Sequence, residues 1–205
     1  LESYGLSETC GAITGNPPGR DNPPGSIGQP LPGAEVRICD DEGRDRPPGE
    51  VGEICIRAPH VSAGYWQREE DTRASCFGDG WFRTGDIGRM DERGYIYVLD
   101  RKKDMILVSG FNVYPNEIED VLAMHPGVLE SAAVGVPDDK TGEAIAAFVV
   151  KKDPALTADD IKAHCRTNLT GYKQPRFIEF RDALPKTNVG KILRRELRDS
   201  APRPA

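Results

Sequence analysis

The spacing of hydrophobic and polar residues divides the chain into a β-rich first half and a mixed second half. In the first half, short alternating runs predict antiparallel hairpins over 34–57 and 82–99. Residues 15–33 hold eleven Gly or Pro in nineteen positions, which predicts a loop. A short helix is predicted over 69–76. These elements indicate a small barrel or sandwich of antiparallel strands.

The second half combines helical and strand-like patterns. Pro115 suits the first turn of a helix, and an apolar stripe with three-four spacing follows it. Thr157 and Asp160 form a capping box that opens a second helix, and a basic helix begins at Ile192. Three apolar runs predict strands at 131–136, 144–150 and 176–180. The pattern predicts a compact α+β domain of three strands and three helices.

Five consecutive charges at 100–104 lie between the two halves. Because unpaired buried charges are costly, these residues are predicted to form an exposed connection at which the chain can turn. The expected organisation is therefore the β-rich end of a larger domain (1–99), a hinge (100–103) and an α+β domain (104–199). The last residues, 200–205, contain two prolines and are predicted to be disordered.

Composition excludes several classes of protein. The 205 residues include 33 acidic and 27 basic side chains, and the net charge of −6 argues against a nucleic-acid partner. No apolar run approaches the length of a membrane span. The five cysteines are odd in number and never spaced C-x-x-C, which favours reduced thiols. Leu1 stands at the edge of a motif, so we expect the chain to be a piece of a longer protein.

Three short stretches carry residues suited to chemistry. The stretch 4–8 offers an aromatic ring, a hydroxyl and a carboxylate, which suit a nucleotide and Mg²⁺, although for five residues taken alone an ordinary turn with a solvated Glu is the better explanation. In Thr84-Gly85-Asp86 the carboxylate could accept hydrogen bonds from a vicinal diol or simply cap a turn. Lys191 could stabilise a charged transition state, or serve only as a solubilising charge.

The order of these stretches resembles the adenylate-forming acid–thiol ligases, which include acyl-CoA synthetases, luciferases and the adenylation domains of peptide synthetases. The matching motifs are Y-G-x-S-E (4–8), T-G-D (84–86), D-R-x-K-D (100–104), S-G (109–110) and P-K-T-x-x-G-K (185–191). Residues 100–121 are especially similar to the bacterial long-chain-fatty-acid–CoA ligases. The resemblance covers residues 1–199 and identifies them with the C-terminal portion of such an enzyme.

The resemblance implies a nucleotide site in the first half. By this likeness Tyr4 contacts adenine, Ser7 the α-phosphate, Glu8 Mg²⁺, and Asp86 with Arg101 the ribose. Ser7 replaces the threonine that is usual in the family, so the hydroxyl is retained and a methyl group is lost.

Three further roles follow from the same likeness. Lys103 occupies the hinge position, about which the small domain turns between two half-reactions. Gly110 matches the loop that lines the pantetheine channel, although a turn at the end of a strand explains it as well. Lys191 matches the catalytic lysine of adenylation. Leu107 stands where many relatives carry a lysine, so no role is transferred to that position.

The implied reaction converts ATP, a fatty acid and CoA to acyl-CoA, AMP and pyrophosphate, with Mg²⁺ as the metal. The phosphate-binding loop of the family does not occur in 1–205, so the chain alone is expected to be inactive. Alternatives are a ligase for an aryl or shorter acid, one that loads a carrier protein, and a non-enzymatic nucleotide-binding module. The expected location is cytoplasmic, and peripheral contact with the inner face of a membrane and a homodimer both stay open.

Overall fold

The protein is described by a computed structural model that covers residues 2–201. It divides after Lys102 into two compact units, which we call the first unit and the second unit. The predicted hinge spans this division, and Lys103 is the first residue of the second unit.

The first unit is built from antiparallel strands and one short helix. Its elements are β1 (Ser3–Leu6), β2 (Gly11–Gly15), β3 (Gln29–Pro30), β4 (Glu35–Cys39), β5 (Gly52–Arg57), α1 (Glu69–Ser75), β6 (Cys76–Phe77), β7 (Trp81–Met90) and β8 (Ile96–Arg101). One sheet has the order β1-β2-β3, and a second has the order β4-β5-β7-β6 with β8 paired to β7. The two predicted hairpins, β4–β5 and β7–β8, are confirmed.

The central strand β5 is covered on both faces. Ile54 and Ile56 lie in an apolar cluster on one face, and Cys55 packs with Trp81 on the other. Trp66, a large residue that would suit such a core, does not pack here, and its side chain is 88% exposed. The physical reason is its position on a surface loop ahead of α1, where the neighbouring residues are also exposed.

The five charges at 100–104 are not a uniformly exposed connection. Asp100 is only 2% exposed and lies within β8. Lys102 bonds to Asp41 at 2.7 Å and to the buried Glu53 at 3.1 Å. Buried carboxylates are tolerated when they are hydrogen-bonded or paired, and this is why the first charges complete a strand.

The second unit is an α+β domain. Its elements are β9 (Ile106–Val108), β10 (Phe111–Val113), α2 (Pro115–Ala123), β11 (Val128–Asp138), β12 (Gly142–Lys151), α3 (Ala158–Asn168), β13 (Phe177–Arg181) and α4 (Arg194–Ser200). The sheet has the order β10-β9-β12-β11, with β13 parallel to β12. The three predicted strands are present, but the hairpin β9–β10 raises the number to five. The apolar run at 105–108 contains β9, whereas its partner β10 has only three residues, too few to show a clear alternation.

The long strand β12 forms the centre of the second unit. Residues 144–150 are all buried, because one face packs against α2 and α3 and the other against Leu184 and Leu197. The capping box is confirmed, since the Thr157 hydroxyl accepts from the backbone N–H of Asp160.

The start of the predicted disordered tail is incorrect, because Ser200 is the last residue of α4. The remainder of that prediction, from residue 202 onward, lies outside the described residues. Among the described helices, none combines the length and apolar character needed to cross a bilayer.

Candidate functional site

A tight turn between β1 and β2 presents the residues of the first motif. The buried hydroxyl of Thr9 accepts from the backbone N–H of Leu6 at 2.9 Å and lies 2.8 Å from the carbonyl oxygen of the same residue. The backbone N–H of Ser62 donates to the carbonyl of Glu8 at 2.7 Å. These bonds fix a single 3-10 turn on which Ser7 is exposed and Glu8 is partly exposed.

The T-G-D motif is held in place by its own hydrogen bonds. The Thr84 hydroxyl donates to the carbonyl of Ile54 at 2.7 Å and accepts from the backbone N–H of Asp86 at 3.1 Å. Gly85 has φ 72°, a left-handed conformation that glycine adopts without strain. Asp86 and Arg101 are partners across the β7–β8 ladder, where a register shift follows Ile87. The motif therefore places a carboxylate beside a guanidinium by backbone pairing.

Tyr4, Asp86 and Arg101 form one polar cluster, although they are far apart in sequence. The Tyr4 hydroxyl donates to Asp86 Oδ2 at 2.6 Å, and Arg101 Nε lies 3.7 Å from Asp86 Oδ1. Burial and the bond to Asp86 raise the pKa of Tyr4 well above its ordinary value, so the phenol remains a donor even in alkaline solution. Asp86 is 7% exposed, and the Arg101 side chain is largely open to solvent. The cluster has the acceptors and donors that a ribose diol requires.

Glu8 is oriented by a residue that sequence reasoning missed. The Tyr65 hydroxyl donates to Glu8 Oε1 at 2.8 Å, and burial together with this bond raises the pKa of Tyr65. Tyr65 lies 57 positions away on a loop, and no pattern in the sequence indicates the pairing. Both residues line a cavity of about 520 Å³ within the first unit, together with Thr84, Gly85 and others.

Glu8 is the residue expected to bind Mg²⁺, and its surroundings show which other ligands are available. No group of three or more His, Cys, Asp or Glu side chains suited to a metal occurs within residues 2–201. Mg²⁺ is commonly held by one or two carboxylates together with substrate phosphates, so Glu8 alone fits that mode of binding.

Gly110 occupies a two-residue turn of the second unit. Ser109 and Gly110 have φ values of 51° and 83° and join β9 to β10. Positive φ at both positions is the geometry of a tight hairpin. The backbone at Gly110 therefore has the conformation expected of a glycine in a tight turn. Apart from the glycine and its two chain neighbours, no described residue has an atom within 4 Å of the place where a Cβ would stand, so the space beside the glycine is open.

Lys191 lies on a closed loop that leads into α4. The backbone N–H of Thr187 donates to the carbonyl of Lys191 at 2.8 Å, and the Thr187 hydroxyl accepts from the N–H of Lys191 at 3.1 Å. Lys186 pairs with Ile192 as an isolated β-bridge. The Lys191 side chain is exposed. The loop thus holds its backbone closed and presents an ammonium group to solvent.

The predicted site residues are divided between the units. Tyr4, Asp86 and Arg101 are brought together in the first unit, which also carries the Ser7–Glu8 turn. The second unit carries Lys103, Gly110 and Lys191. Their assigned roles stay predictions.

Two family profiles match this sequence. The AMP-binding enzyme family matches residues 1–66, and the AMP-binding enzyme C-terminal domain matches residues 117–191. The chain belongs to the AMP-binding enzymes, the adenylate-forming ligases whose motifs it carries.

Individual relatives refine this assignment. The chain is 57% identical over 201 residues to a long-chain-fatty-acid–CoA ligase of Escherichia coli O157:H7, a match that covers 98% of this chain and 36% of the relative. It therefore spans about a third of the length of that enzyme.

Solved structures show the same fold. ATP-bound MatB from Rhodopseudomonas palustris superposes with a TM-score of 0.92 at 39% identity, over 97% of this chain and 40% of that one. O-succinylbenzoate coenzyme A synthetase (MenE) from Bacillus subtilis, in complex with ATP and magnesium, gives 0.86 at 38% identity, over 96% and 40%.

Proposed function

We propose that the chain is the C-terminal part of an AMP-forming long-chain fatty acid–CoA ligase. The observation that carries the proposal is the cluster of Tyr4, Asp86 and Arg101, which forms within a sequence 57% identical to such a ligase. In the proposed reaction a fatty carboxylate attacks the α-phosphate of ATP and releases pyrophosphate. The thiolate of CoA then attacks the acyl-adenylate carbonyl and releases AMP.

The first unit binds the nucleotide in this proposal. Asp86 accepts hydrogen bonds from the ribose hydroxyls, and Arg101 supplies a donor beside it. Tyr4, held by its bond to Asp86, contributes its ring to the adenine, and the exposed Ser7 hydroxyl donates to the α-phosphate. Glu8 would hold Mg²⁺, which neutralises phosphate charge when bound.

The second unit supplies the residues that change between the two steps. The Lys191 ammonium stabilises the negative charge that gathers when the carboxylate meets the α-phosphate. Lys103 is the position at which the second unit turns. The open space beside Gly110 admits the pantetheine arm of CoA in the thioester-forming step.

A ligase for an aryl acid is a second candidate. The observation that favours it is the likeness to MenE at 38% identity, which is a synthetase for O-succinylbenzoate. The identity of 57% to a long-chain enzyme supports a fatty acid as the first candidate. A nucleotide-binding module without activity is the third candidate, and the presence of Lys191, Asp86, Arg101 and Glu8 argues against it.

A panel of acids separates these candidates. AMP release is measured with ATP, Mg²⁺ and CoA for the full-length protein and for the 205-residue chain, with palmitate, octanoate, benzoate and O-succinylbenzoate in turn. We expect palmitate to be the preferred acid of the full-length protein and the isolated chain to be inactive. Preference for an aryl acid would select the second candidate, and no AMP with any acid would select the third.

A further inference from the structure

The loop that carries Lys191 is attached to the second unit at both ends. Before the loop, Leu184 is buried and Lys186 forms an ion pair with Glu130 at 2.6 Å. After the loop, α4 begins at Arg194, and Leu197 anchors that helix in the core. Because Lys191 itself is exposed, its position depends on these attachments.

Arg194 makes the most extensive polar attachment on the C-terminal side of the loop. Its guanidinium donates to the two carboxylate oxygens of Glu119, at 2.7 and 3.2 Å, and to Asn116 Oδ1 at 2.8 Å. It also lies 3.9 Å from Asp104 Oδ2. The side chains of Arg194, Glu119 and Asp104 are only 20%, 17% and 15% exposed. The group is therefore a largely buried network, in which charged hydrogen bonds are stronger than at an open surface.

The network reaches the residue that follows the hinge. Asp104 comes directly after Lys103, and it lies near both Arg194 (3.9 Å) and Arg198 (3.7 Å) on α4. Within the second unit, α4 is thus attached by ion pairs to Asp104, the residue directly after the hinge.

We propose that Arg194 is a positioning residue for Lys191. It holds the start of α4 against Glu119 and Asp104, so that rotation at Lys103 carries the Lys191 loop as part of one rigid body. This inference rests on the proposed function for its catalytic consequence, but the anchoring is a property of the second unit alone. Arginine suits the task because its planar fork bonds several acceptors in fixed directions, which a lysine cannot do.

The adjacent arginine provides a matched control. The Arg195 side chain is 92% exposed, and its ion pair with Asp199 is 4.0 Å long. Arg194→Gln and Arg195→Gln remove the same charge and the same type of trypsin site from neighbouring positions. A difference between these variants therefore reports the network and not the net charge.

The first readout does not require activity. The full-length protein is treated briefly with trypsin, and early products that end at Lys191 are quantified by mass spectrometry. We expect cleavage after Lys191 to be about tenfold faster in R194Q than in R195Q, because the loss of charge-assisted hydrogen bonds favours opening of the loop. Equal cleavage rates in the two variants would overturn the proposal.

The second readout separates the half-reactions. Adenylation is measured as pyrophosphate release without CoA, and thioester formation is measured from supplied acyl-adenylate. We expect R194Q to lower adenylation by about 10- to 100-fold, the loss typical of a displaced catalytic group, and to retain most thioester formation. Equal loss in both half-reactions would overturn the positioning role.

The test also covers two other outcomes, failure of R194Q to fold and absence of adenylation in the wild-type protein. If R194Q does not fold, Arg194→Lys replaces it. We then expect smaller changes in the same direction, faster cleavage after Lys191 and slower adenylation, because lysine keeps the positive charge but lacks the planar guanidinium. If the wild-type protein forms no adenylate, the proposed function fails, and the cleavage comparison still accepts or rejects the anchoring.

Discussion

Removing the Tyr4 hydroxyl by Tyr4→Phe is expected to destabilise the first unit. The hydroxyl donates to the carboxylate of Asp86 at 2.6 Å, and Asp86 is 7% exposed. A hydrogen bond to a charged group contributes about 1.5–3 kcal/mol. Because Arg101 also faces this carboxylate, we expect the lower end, about 1.5 kcal/mol.

Tryptophan fluorescence is the appropriate assay. Both tryptophans, Trp66 and Trp81, belong to the first unit, so urea unfolding followed by their emission reports on that unit. Tyr97→Phe is the matched control, because the Tyr97 hydroxyl lies 3.4 Å from Asp91 in a much weaker bond. Equal destabilisation by the two substitutions would refute the reasoning.

The pH dependence provides a second test of the same bond. Burial and the bond to Asp86 raise the pKa of Tyr4 above that of an unfolded tyrosine, which is about 10. The folded state then keeps a proton that the unfolded state releases, so the stabilisation is complete below about pH 10 and is lost as the pH rises further. Wild type should lose up to about 1.4 kcal/mol per pH unit relative to Y4F. Parallel curves above pH 10 would contradict this assignment.

Two substitutions test the stability of the second unit. For each, the change in the free energy of unfolding is measured from the hydrogen exchange of amides in β12. Gly110→Ala should cost about 1 kcal/mol because its φ of 83° disfavours a side chain, whereas Gly171→Ala, at a position without positive φ, should be close to neutral. An equal effect at both glycines would exclude backbone strain as the cause. Thr157→Ala should cost about 1 kcal/mol through loss of the cap that bonds the N–H of Asp160. Thr167→Ala, near the exposed end of the same helix, is its control, and an equal cost there would count against the capping role.

Local pattern predicted much of the fold. The capping box at Thr157 and the proline at 115 each marked a helix that the structure contains. These signals act through neighbouring residues, so they are readable without the tertiary structure. Burial could not be read in the same way. Trp66 is exposed although it is large and apolar, and Asp100 is buried although it opens a run of charges. Both depend on what the rest of the chain places beside them.

In the candidate site, too, some features follow from local sequence and others only from tertiary packing. Asp86 and Arg101 could be singled out from their motifs, and strand pairing explains why they meet. The bonds from Tyr4 to Asp86 and from Tyr65 to Glu8 join residues 82 and 57 positions apart. No periodicity or spacing indicates such contacts, because they follow from the packing of distant segments. The network around Arg194 was likewise invisible, since an arginine in a basic helix gives no sign of its partners.

The proposed role of Lys191 is to serve the adenylation step of a two-step ligase. Its most direct test is Lys191→Ala in the full-length protein, with pyrophosphate release and the conversion of supplied acyl-adenylate to acyl-CoA measured side by side. Loss of the lysine should reduce adenylation by about 10²–10³-fold, the effect of removing one electrostatic stabiliser, and leave thioester formation largely intact. Equal loss in both half-reactions, or an unchanged rate of adenylation, would contradict the claim.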